Sequence, residues 1–125
     1  MNYSNYNPNP QHKRVGDCVI RALSKALDQT WDETYAGICA QGFIDKDMPS
    51  ANSVWGAYLH RKGFTRHVIP GERAGAYTVA DFAQDHPSGT YILAIDGHVV
   101  CVNDGTIYDT WESNDEIPVY YWARN

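Results

Sequence analysis

The order of sequence patterns predicts an α+β domain, with helices in the first half and a mainly antiparallel sheet in the second. Apolar residues recur at helical spacing from residue 18 to about residue 62. Beyond residue 63 the pattern changes to short runs rich in β-branched and aromatic residues, separated by turn signals. Helices followed by a series of such strands are typical of the α+β class.

The chain length of 125 residues predicts a single domain, 1–125, that can bury a core without disulfide or metal staples. A composition of 43% hydrophobic and 20% charged residues is that of a globular chain. Asn and Pro dominate residues 1–16. Because proline disfavours helix in the residue before it, this segment is predicted to be an extended arm.

Charge and cysteine content exclude several classes of partner. The net charge of −5 argues against nucleic acid, since the only basic cluster is the short run 12–14. No apolar run approaches the roughly 18 residues needed to cross a bilayer, so no membrane is expected as a partner.

The polar N-terminus does not have the pattern of a secretion signal, and three cysteines far apart in the sequence favour reduced thiols. The expected location is therefore cytoplasmic.

Three helices are predicted in the first half. Asp17 is a suitable N-cap for the first helix, and Thr30 with Glu33 has the form of a capping box for the second. Gly42 is the predicted end of the second helix and Gly63 the end of the third. The predicted helices span residues 18–27, 31–41 and 51–62.

The second half is predicted to contain five strands and one short helix. Thr78 with Asp81 caps the helix, and turn signals at 96–97 and 103–105 separate strands. The predicted strands span residues 64–69, 90–95, 98–102, 106–110 and 118–123, and the helix spans residues 79–85.

Cys18 stands directly after Asp17, at the predicted start of the first helix. A thiolate is the nucleophilic form of cysteine, and a helix N-terminus stabilises negative charge. The position is therefore suited to an activated nucleophile, although the charge of Asp17 works against a thiolate nearby. The alternative is that Cys18 is a small buried residue in the core.

The predicted hairpin of residues 98–110 places a histidine and a carboxylate together. If Asp104 and Gly105 form a two-residue turn, Val100 lies opposite Asp109. His98 and Asp109 then project from the same face as diagonal neighbours, within reach of one another. Asp109 could orient His98 and leave its other ring nitrogen for Cys18. A three-residue loop would put Asp109 on the opposite face, and the polar residues would then simply face water.

The combination "GDC", "GHVVCV" and "IYD" resembles the papain-like cysteine peptidase superfamily, and within it the compact peptidase C39-like branch. The resemblance in element order runs from about residue 7 to residue 122. It implies a papain-like fold with the N-terminal helices packed on the sheet. It also implies that Cys18 is the nucleophile, His98 the general base and acid, and Asp109 the residue that orients His98.

The chain departs from this family at the oxyanion site. The family has a Gln six residues before the cysteine, and this chain has His12 there, with Gln11 one position earlier. The resemblance therefore assigns the oxyanion role to Gln11, provided that the intervening loop bulges. An asparagine of the arm, Asn7 or Asn9, is the alternative, acting beside the backbone N–H of Cys18.

The remaining candidates are expected to be structural. Cys39 and Cys101 are predicted to pack in the core, and no close Cys/His pair has the spacing of metal ligands. No metal or cofactor is therefore expected.

Trp111 lies on the same face as His98, where it could form one side of a cleft or pack in the core. The segment 111–116 is predicted to be a solvated acidic turn; beside a cleft it would favour basic substrate segments.

These observations predict a thiol hydrolase that cleaves a peptide or isopeptide amide through an acyl-enzyme. Its partner would be a peptide or protein substrate. The alternative is a catalytically inactive papain-like binding module, of the kind a phage or mobile element uses to sequester a protein partner. The family's Gln is missing at its usual spacing, which favours the module, whereas the Cys18, His98 and Asp109 set favours the enzyme.

Overall fold

The computed structural model describes residues 3–70 and 75–124, and over these ranges the chain is mixed α+β with four helices and one six-stranded sheet. The helices are α1 Cys18–Leu27, α2 Trp31–Asp45, α3 Asn52–Arg61 and α4 Val79–Asp85. The strands are β1 Tyr3–Asn5, β2 Phe64–Val68, β3 Thr90–Ile95, β4 His98–Asn103, β5 Thr106–Asp109 and β6 Pro118–Arg124. The sheet order is β1-β5-β4-β3-β6-β2, in which β1 and β5 are parallel and the other described pairs are antiparallel.

The predicted helices and strands all form, with ends within about one residue of prediction except at α2. The prediction that Gly42 ends α2 is wrong, because the helix continues to Asp45 and ends with Lys46 in the left-handed region at φ 58°. Gly42 instead permits a close approach of the backbone, since a Cβ there would lie 2.8 Å from the carbonyl oxygen of Asp47. The capping boxes at Thr30 and Thr78 are both present.

The N-terminal arm forms a strand that the sequence did not predict. β1 pairs in parallel with β5, so that Asn5 lies opposite Asp109. The pairing continues one residue further, because Tyr6 N–H donates to the Asp109 carbonyl at 2.8 Å. The arm therefore covers the outer edge of β5 and fixes the backbone that carries Asp109.

The hairpin between β4 and β5 has the predicted two-residue turn. Asp104 and Gly105 both have positive φ, 50° and 77°, as a type I′ turn requires. Asn103 lies opposite Thr106, and the register continues through the pair of Cys101 and Tyr108. This is the register that places His98 and Asp109 on the same face.

Alternating residues of β3 and β4 build two cores, one on each face of the sheet. Ile92 and Cys101 pack with the helices α1 and α3, whereas Leu93 and Val100 pack with α4. Leu23 of α1 is fully buried in the first core, which fixes α1 against β4. Among the helices in the described ranges, none is long and apolar enough to cross a membrane.

Candidate active site

Cys18 is the first residue of α1 and therefore lies at the N-terminus of this helix. Its side chain is half-buried, and its sulfur faces the His98 ring and the backbone N–H of Val99, two donors that favour the thiolate form. The first backbone N–H groups of a helix have no partner within the helix, so negative charge on this sulfur is favoured. The geometry is therefore that of a stabilised thiolate.

His98, the first residue of β4, connects the thiol to Asp109. Its Nε2 lies 2.6 Å from Asp109 Oδ2, and the two side chains are only 12% and 1% exposed. Because Nε2 is engaged by the carboxylate, Nδ1 is the ring nitrogen left for Cys18. The structure thus brings together the three residues that the sequence singled out, in the order thiol, imidazole, carboxylate.

The Asp109 carboxylate has partners that the sequence did not indicate. Ser113 Oγ donates to Oδ2 at 2.7 Å, and Thr110 N–H donates to Oδ1 at 2.8 Å. The prediction that segment 111–116 is solvated is therefore wrong at its centre, because Ser113 and Asn114 are buried. The Asn114 carbonyl accepts the Ala80 N–H of α4 at 3.0 Å, which holds this segment against the fold.

Trp111, in contrast, lies at the surface beside the histidine. Its ring centroid is 5.0 Å from that of His98, and its side chain is 44% exposed. This exposure contradicts the predicted core role, and Trp111 is not among the residues that line the cleft containing Cys18 and His98. The ring covers one side of the imidazole and limits its contact with water.

Arg21 is the residue of the site that sequence reasoning missed. It pairs with Asp17 one helical turn earlier, and its Nη2 lies 3.5 Å from Asp109 Oδ1. Asp17 is the N-cap residue of α1, as predicted, but its side chain makes no capping hydrogen bond, because the carboxylate binds Arg21 and accepts the Trp31 Nε1–H at 2.9 Å. The (i, i+4) spacing of Asp17 and Arg21 was the available signal.

The electrostatics favour a thiolate–imidazolium pair. Burial alone would raise the pKa of Cys18, but the hydrogen bonds from His98 and Val99 and the charges of His98 and Arg21 hold it below 9.0. Burial would lower the pKa of His98, yet its hydrogen bonds to Asp109 and Cys18 raise it to about 9. Burial also opposes ionisation of Asp109, and the bonds from His98 and Ser113 outweigh it, so its pKa is lowered.

Two cavities flank the start of α1. The first, here called the thiol cleft, has a volume of about 500 Å³ and contains Cys18 and His98. The second, here called the arm cavity, has a volume of about 420 Å³ and lies between the arm and α2. The two cavities share Gly16, Val19 and Ser50 in their walls. A bound chain could therefore extend from one into the other.

The structure does not bring Gln11 to the thiol. Its side chain is exposed and belongs to the wall of neither cavity. The cause is a turn in which Asn9 Oδ1 accepts the Gln11 N–H at 2.9 Å, followed by His12 at φ 55°, which directs Gln11 outward. Asn9 is buried and lines the arm cavity, and Asn7 bonds the Lys13 carbonyl; neither lines the thiol cleft.

The other two cysteines lie apart from this pair. Cys101 is fully buried, as predicted, and burial raises the pKa of its thiol to about 12. Cys39 is only half-buried and lines the arm cavity, so the core-packing prediction holds only in part. Within residues 3–70 and 75–124, no three His, Cys, Asp or Glu side chains are grouped to hold a metal ion.

Comparison with protein-family models finds no match to this chain, and comparisons with curated proteins and with solved structures find none either. The interpretation of the site therefore rests on its geometry and chemistry.

Replacing Arg21 by Met is expected to destabilise the fold by about 3 kcal/mol or more, because it leaves the buried Asp17 carboxylate without its cation. Urea denaturation measures the change. Arg14→Met, at an exposed arginine, is the matched control and should change the unfolding free energy by less than about 0.5 kcal/mol. Equal stability of the two variants would contradict a structural role for the Arg21 ion pairs.

The dependence of stability on pH should reveal the thiolate–imidazolium pair. Above both pH 6.5 and the lowered pKa of Cys18, and up to about pH 9, the unfolded chain carries a proton on Cys18, whereas the folded chain carries one on His98. Proton binding is then equal in both states, so the pair adds no slope above the lowered pKa of Cys18. In Cys18→Ala only His98 remains, and its hydrogen bond to Asp109 still raises its pKa, although by less than when the thiol is present. Its stabilisation, complete below pH 6.5, is lost as pH rises, by up to about 1.4 kcal/mol per pH unit.

Urea denaturation at a series of pH values checks this expectation. Cys39→Ala, which removes a thiol outside the pair, should retain the wild-type profile. A wild-type slope as steep as that of Cys18→Ala would mean that the folded protein keeps a neutral thiol at Cys18.

Proposed function

We propose that this protein is a thiol hydrolase of papain-like fold that cleaves a peptide or isopeptide amide. The observation that carries the proposal is that Cys18 and His98 lie together in one cleft, while His98 Nε2 is 2.6 Å from Oδ2 of the buried Asp109. A nucleophile, a base and a residue that orients the base are the three parts that covalent hydrolysis requires. They lie at a helix N-terminus and beside an open cleft of about 500 Å³.

The first half of the reaction uses the ion pair as it stands. The Cys18 thiolate attacks the carbonyl carbon of the amide and forms a tetrahedral oxyanion. His98, protonated on Nδ1, gives that proton to the amide nitrogen as the C–N bond breaks. The amine departs, and the acyl group remains on the Cys18 sulfur as a thioester.

The second half returns the enzyme to its starting state. Neutral His98 removes a proton from water as the water oxygen attacks the thioester carbonyl. The C–S bond then breaks, which releases the carboxylic acid product and restores the thiolate. Asp109 keeps the imidazole in the required tautomer throughout and stabilises its charged form.

The oxyanion has backbone donors at the start of α1. The N–H groups of the first turn, including that of Cys18, have no acceptor within the helix and can donate to the oxygen. Gln11 does not line the cleft, so this proposal assigns the role to the backbone alone.

The cysteines and the net charge of the chain agree with an intracellular peptide or protein substrate. The three cysteines are free, as expected in the reducing cytoplasm. The net charge of −5 disfavours nucleic acid as a partner.

The second candidate is an inactive papain-like module that sequesters a protein partner. It is favoured by the outward direction of Gln11 and by three exposed apolar side chains at the end of α2. Phe43, Ile44 and Met48 are 75%, 61% and 67% exposed. Such a cluster suits a protein partner.

Acylation by an activated ester separates the two candidates. With 4-nitrophenyl acetate, the enzyme should release nitrophenolate continuously and carry a transient acetyl group on Cys18, detected by mass spectrometry after acid quench. His98→Ala should lower the rate by about 100-fold or more, because the base is lost. Cys39→Ala should turn over at the wild-type rate.

Two outcomes would contradict hydrolysis. If Cys18 becomes acetylated once and the thioester persists, the second half of the reaction is absent and the binding module is favoured. If acetylation occurs equally at Cys18 and Cys39, the thiol of Cys18 has no special activation.

A further inference from the structure

A further cavity lies between α3 and the last strands of the sheet and borders the thiol cleft. This space, here called the α3–β6 cavity, has a volume of about 450 Å³ and is lined by side chains of α3, β2 and β6. It shares Asn52 and Tyr120 with the wall of the thiol cleft. A peptide bound at Cys18 can therefore extend a side chain or a chain end into it.

The register of the sheet and the sequence of α3 build the α3–β6 cavity. Arg66 of β2 lies opposite Trp122 of β6, so the two side chains project from the same face of the sheet, the face that packs against α3. A Cβ at Gly56 of α3 would lie 3.0 Å from Trp122 Cζ2. The lack of a side chain at Gly56 thus lets α3 approach the indole, which forms the inner wall of the cavity.

The charged groups of this cavity are basic. The guanidinium carbon of Arg66 lies 4.1 Å from the centroid of the Tyr120 ring, and this position leaves the guanidinium N–H groups able to donate to a ligand. His60 contributes a second basic side chain. Within residues 3–70 and 75–124, no acidic side chain lines the cavity or forms an ion pair with Arg66. The cavity therefore favours an anionic ligand, although the net charge of the chain is −5.

The indole of Trp122 adds to this preference. Its Nε1 is buried and has no hydrogen-bond partner among the described residues. An unpaired N–H group is the positive end of a local dipole, so it favours negative charge in the cavity that the indole lines.

The thiol cleft differs in charge from the cavity that it borders. Asp96, an exposed carboxylate, lines the cleft and does not line the α3–β6 cavity. A carboxylate on a bound peptide is repelled by Asp96 and attracted by Arg66. Of the two spaces, the α3–β6 cavity is therefore the one that suits an acidic group.

We infer that the α3–β6 cavity binds a carboxylate of the peptide that is cleaved at Cys18, with Arg66 as the cation that recognises it. This inference rests on the proposed hydrolase function and names its substrate class: peptides with an acidic side chain or a chain-end carboxylate close to the scissile bond. A volume of about 450 Å³ accommodates a glutamate side chain.

Labelling of Cys18 by iodoacetyl peptides tests the cavity without a known substrate. The Cys18 sulfur displaces iodide from the CH₂ carbon, so that a C–S bond forms while the peptide remains attached. The probes carry a glutamate amide after zero, one or two glycine spacers, and each has a glutamine amide counterpart of the same length. Each glutamine probe is also prepared with a free C-terminal carboxylate, which moves the charge from the side chain to the chain end. Every rate is divided by the rate of iodoacetamide for the same variant.

In the wild-type protein, one carboxylate probe should label Cys18 at least about fivefold faster than the neutral glutamine amide of the same length, because Arg66 attracts the carboxylate. A glutamate probe in this role identifies an acidic side chain as the ligand, and a free-acid glutamine probe identifies a chain end. Arg66→Met should reduce the ratio to about one. Arg14→Met, at an exposed arginine that lines neither cavity, changes the net charge by the same amount and should keep the wild-type ratio.

A second variant fills the site and keeps Arg66. Ser53→Asp places a carboxylate in the cavity wall, in the first turn of α3, where an acidic residue is compatible with the helix. It should also abolish the preference for the carboxylate probe. The thermal transition of each variant checks that the chain folds.

Binding can also be measured without the thiol, from the indole N–H signal of Trp122 in a ¹H–¹⁵N spectrum. Trp122→Phe identifies this signal among those of the four tryptophans. Acetyl-glutamate amide or acetyl-glutamine with a free carboxylate should shift the signal at millimolar concentration, and acetyl-glutamine amide should not. Arg66→Met should abolish the shift.

The outcomes separate this inference from the proposed function. Fast iodoacetamide labelling of Cys18 with equal rates for carboxylate and neutral probes would overturn the carboxylate site and leave the hydrolase proposal intact. The same would follow if folded Arg66→Met keeps the wild-type ratio. Slow labelling of Cys18 by iodoacetamide would overturn the hydrolase proposal. The Trp122 signal would then decide the cavity by itself, because a shift with the carboxylate ligands supports the site and no shift overturns it.

Discussion

The burial of the Asp109 carboxylate is the constraint on which the rest of the site depends. A side chain that is 1% exposed cannot remain ionised without close partners, because desolvation penalises the charged form. Four groups provide them: the His98 ring, the Ser113 hydroxyl, the Thr110 N–H and, at 3.5 Å, the Arg21 guanidinium. Each element that supplies one of these groups has to keep its position, because otherwise the buried carboxylate would lose a partner.

The same constraint explains how distant parts of the chain are arranged. Arg21 connects α1 to β5, and it also neutralises Asp17 next to the thiol. The arm pairs with β5 and donates its Tyr6 N–H to the carbonyl of Asp109. Because α1 and β4 are fixed to this strand, the Cys18 sulfur and the His98 ring meet at the end of the sheet. The ionised Asp109 carboxylate thus favours a protonated His98, and the protonated His98 favours the thiolate form of Cys18.

The fold class and the hairpin could be predicted from sequence because they depend on local patterns. Asp104 and Gly105 specify a two-residue turn, and the turn fixes which residues share a face with His98. Capping boxes at Thr30 and Thr78 mark helix starts for the same reason. Each of these signals extends over only a few neighbouring residues, so it can be recognised in a single sequence.

The features that were missed depend on contacts between distant residues. The sequence pattern predicts a helix end at Gly42, but glycine is needed there because the Asp47 carbonyl oxygen comes too close to α2 for a side chain. Ser113 lies in a run of polar residues and gave no sign that it would be buried against Asp109. The pairing of the arm with β5 likewise has no local signal. The oxyanion assignment to Gln11 failed because the turn at Asn9 directs that side chain outward.

The rate of Cys18 alkylation by iodoacetamide as a function of pH, with the label located by mass spectrometry, tests the central claim most directly. A thiolate held by His98 should be labelled at a nearly constant rate well below pH 9.0, the ordinary pKa of a thiol, and His98→Ala should lose this reactivity. A rate in the wild-type protein that rises toward pH 9.0 and is unchanged in His98→Ala would contradict the claim. Cys18 would then be a neutral thiol, and its contact with His98 would be structural.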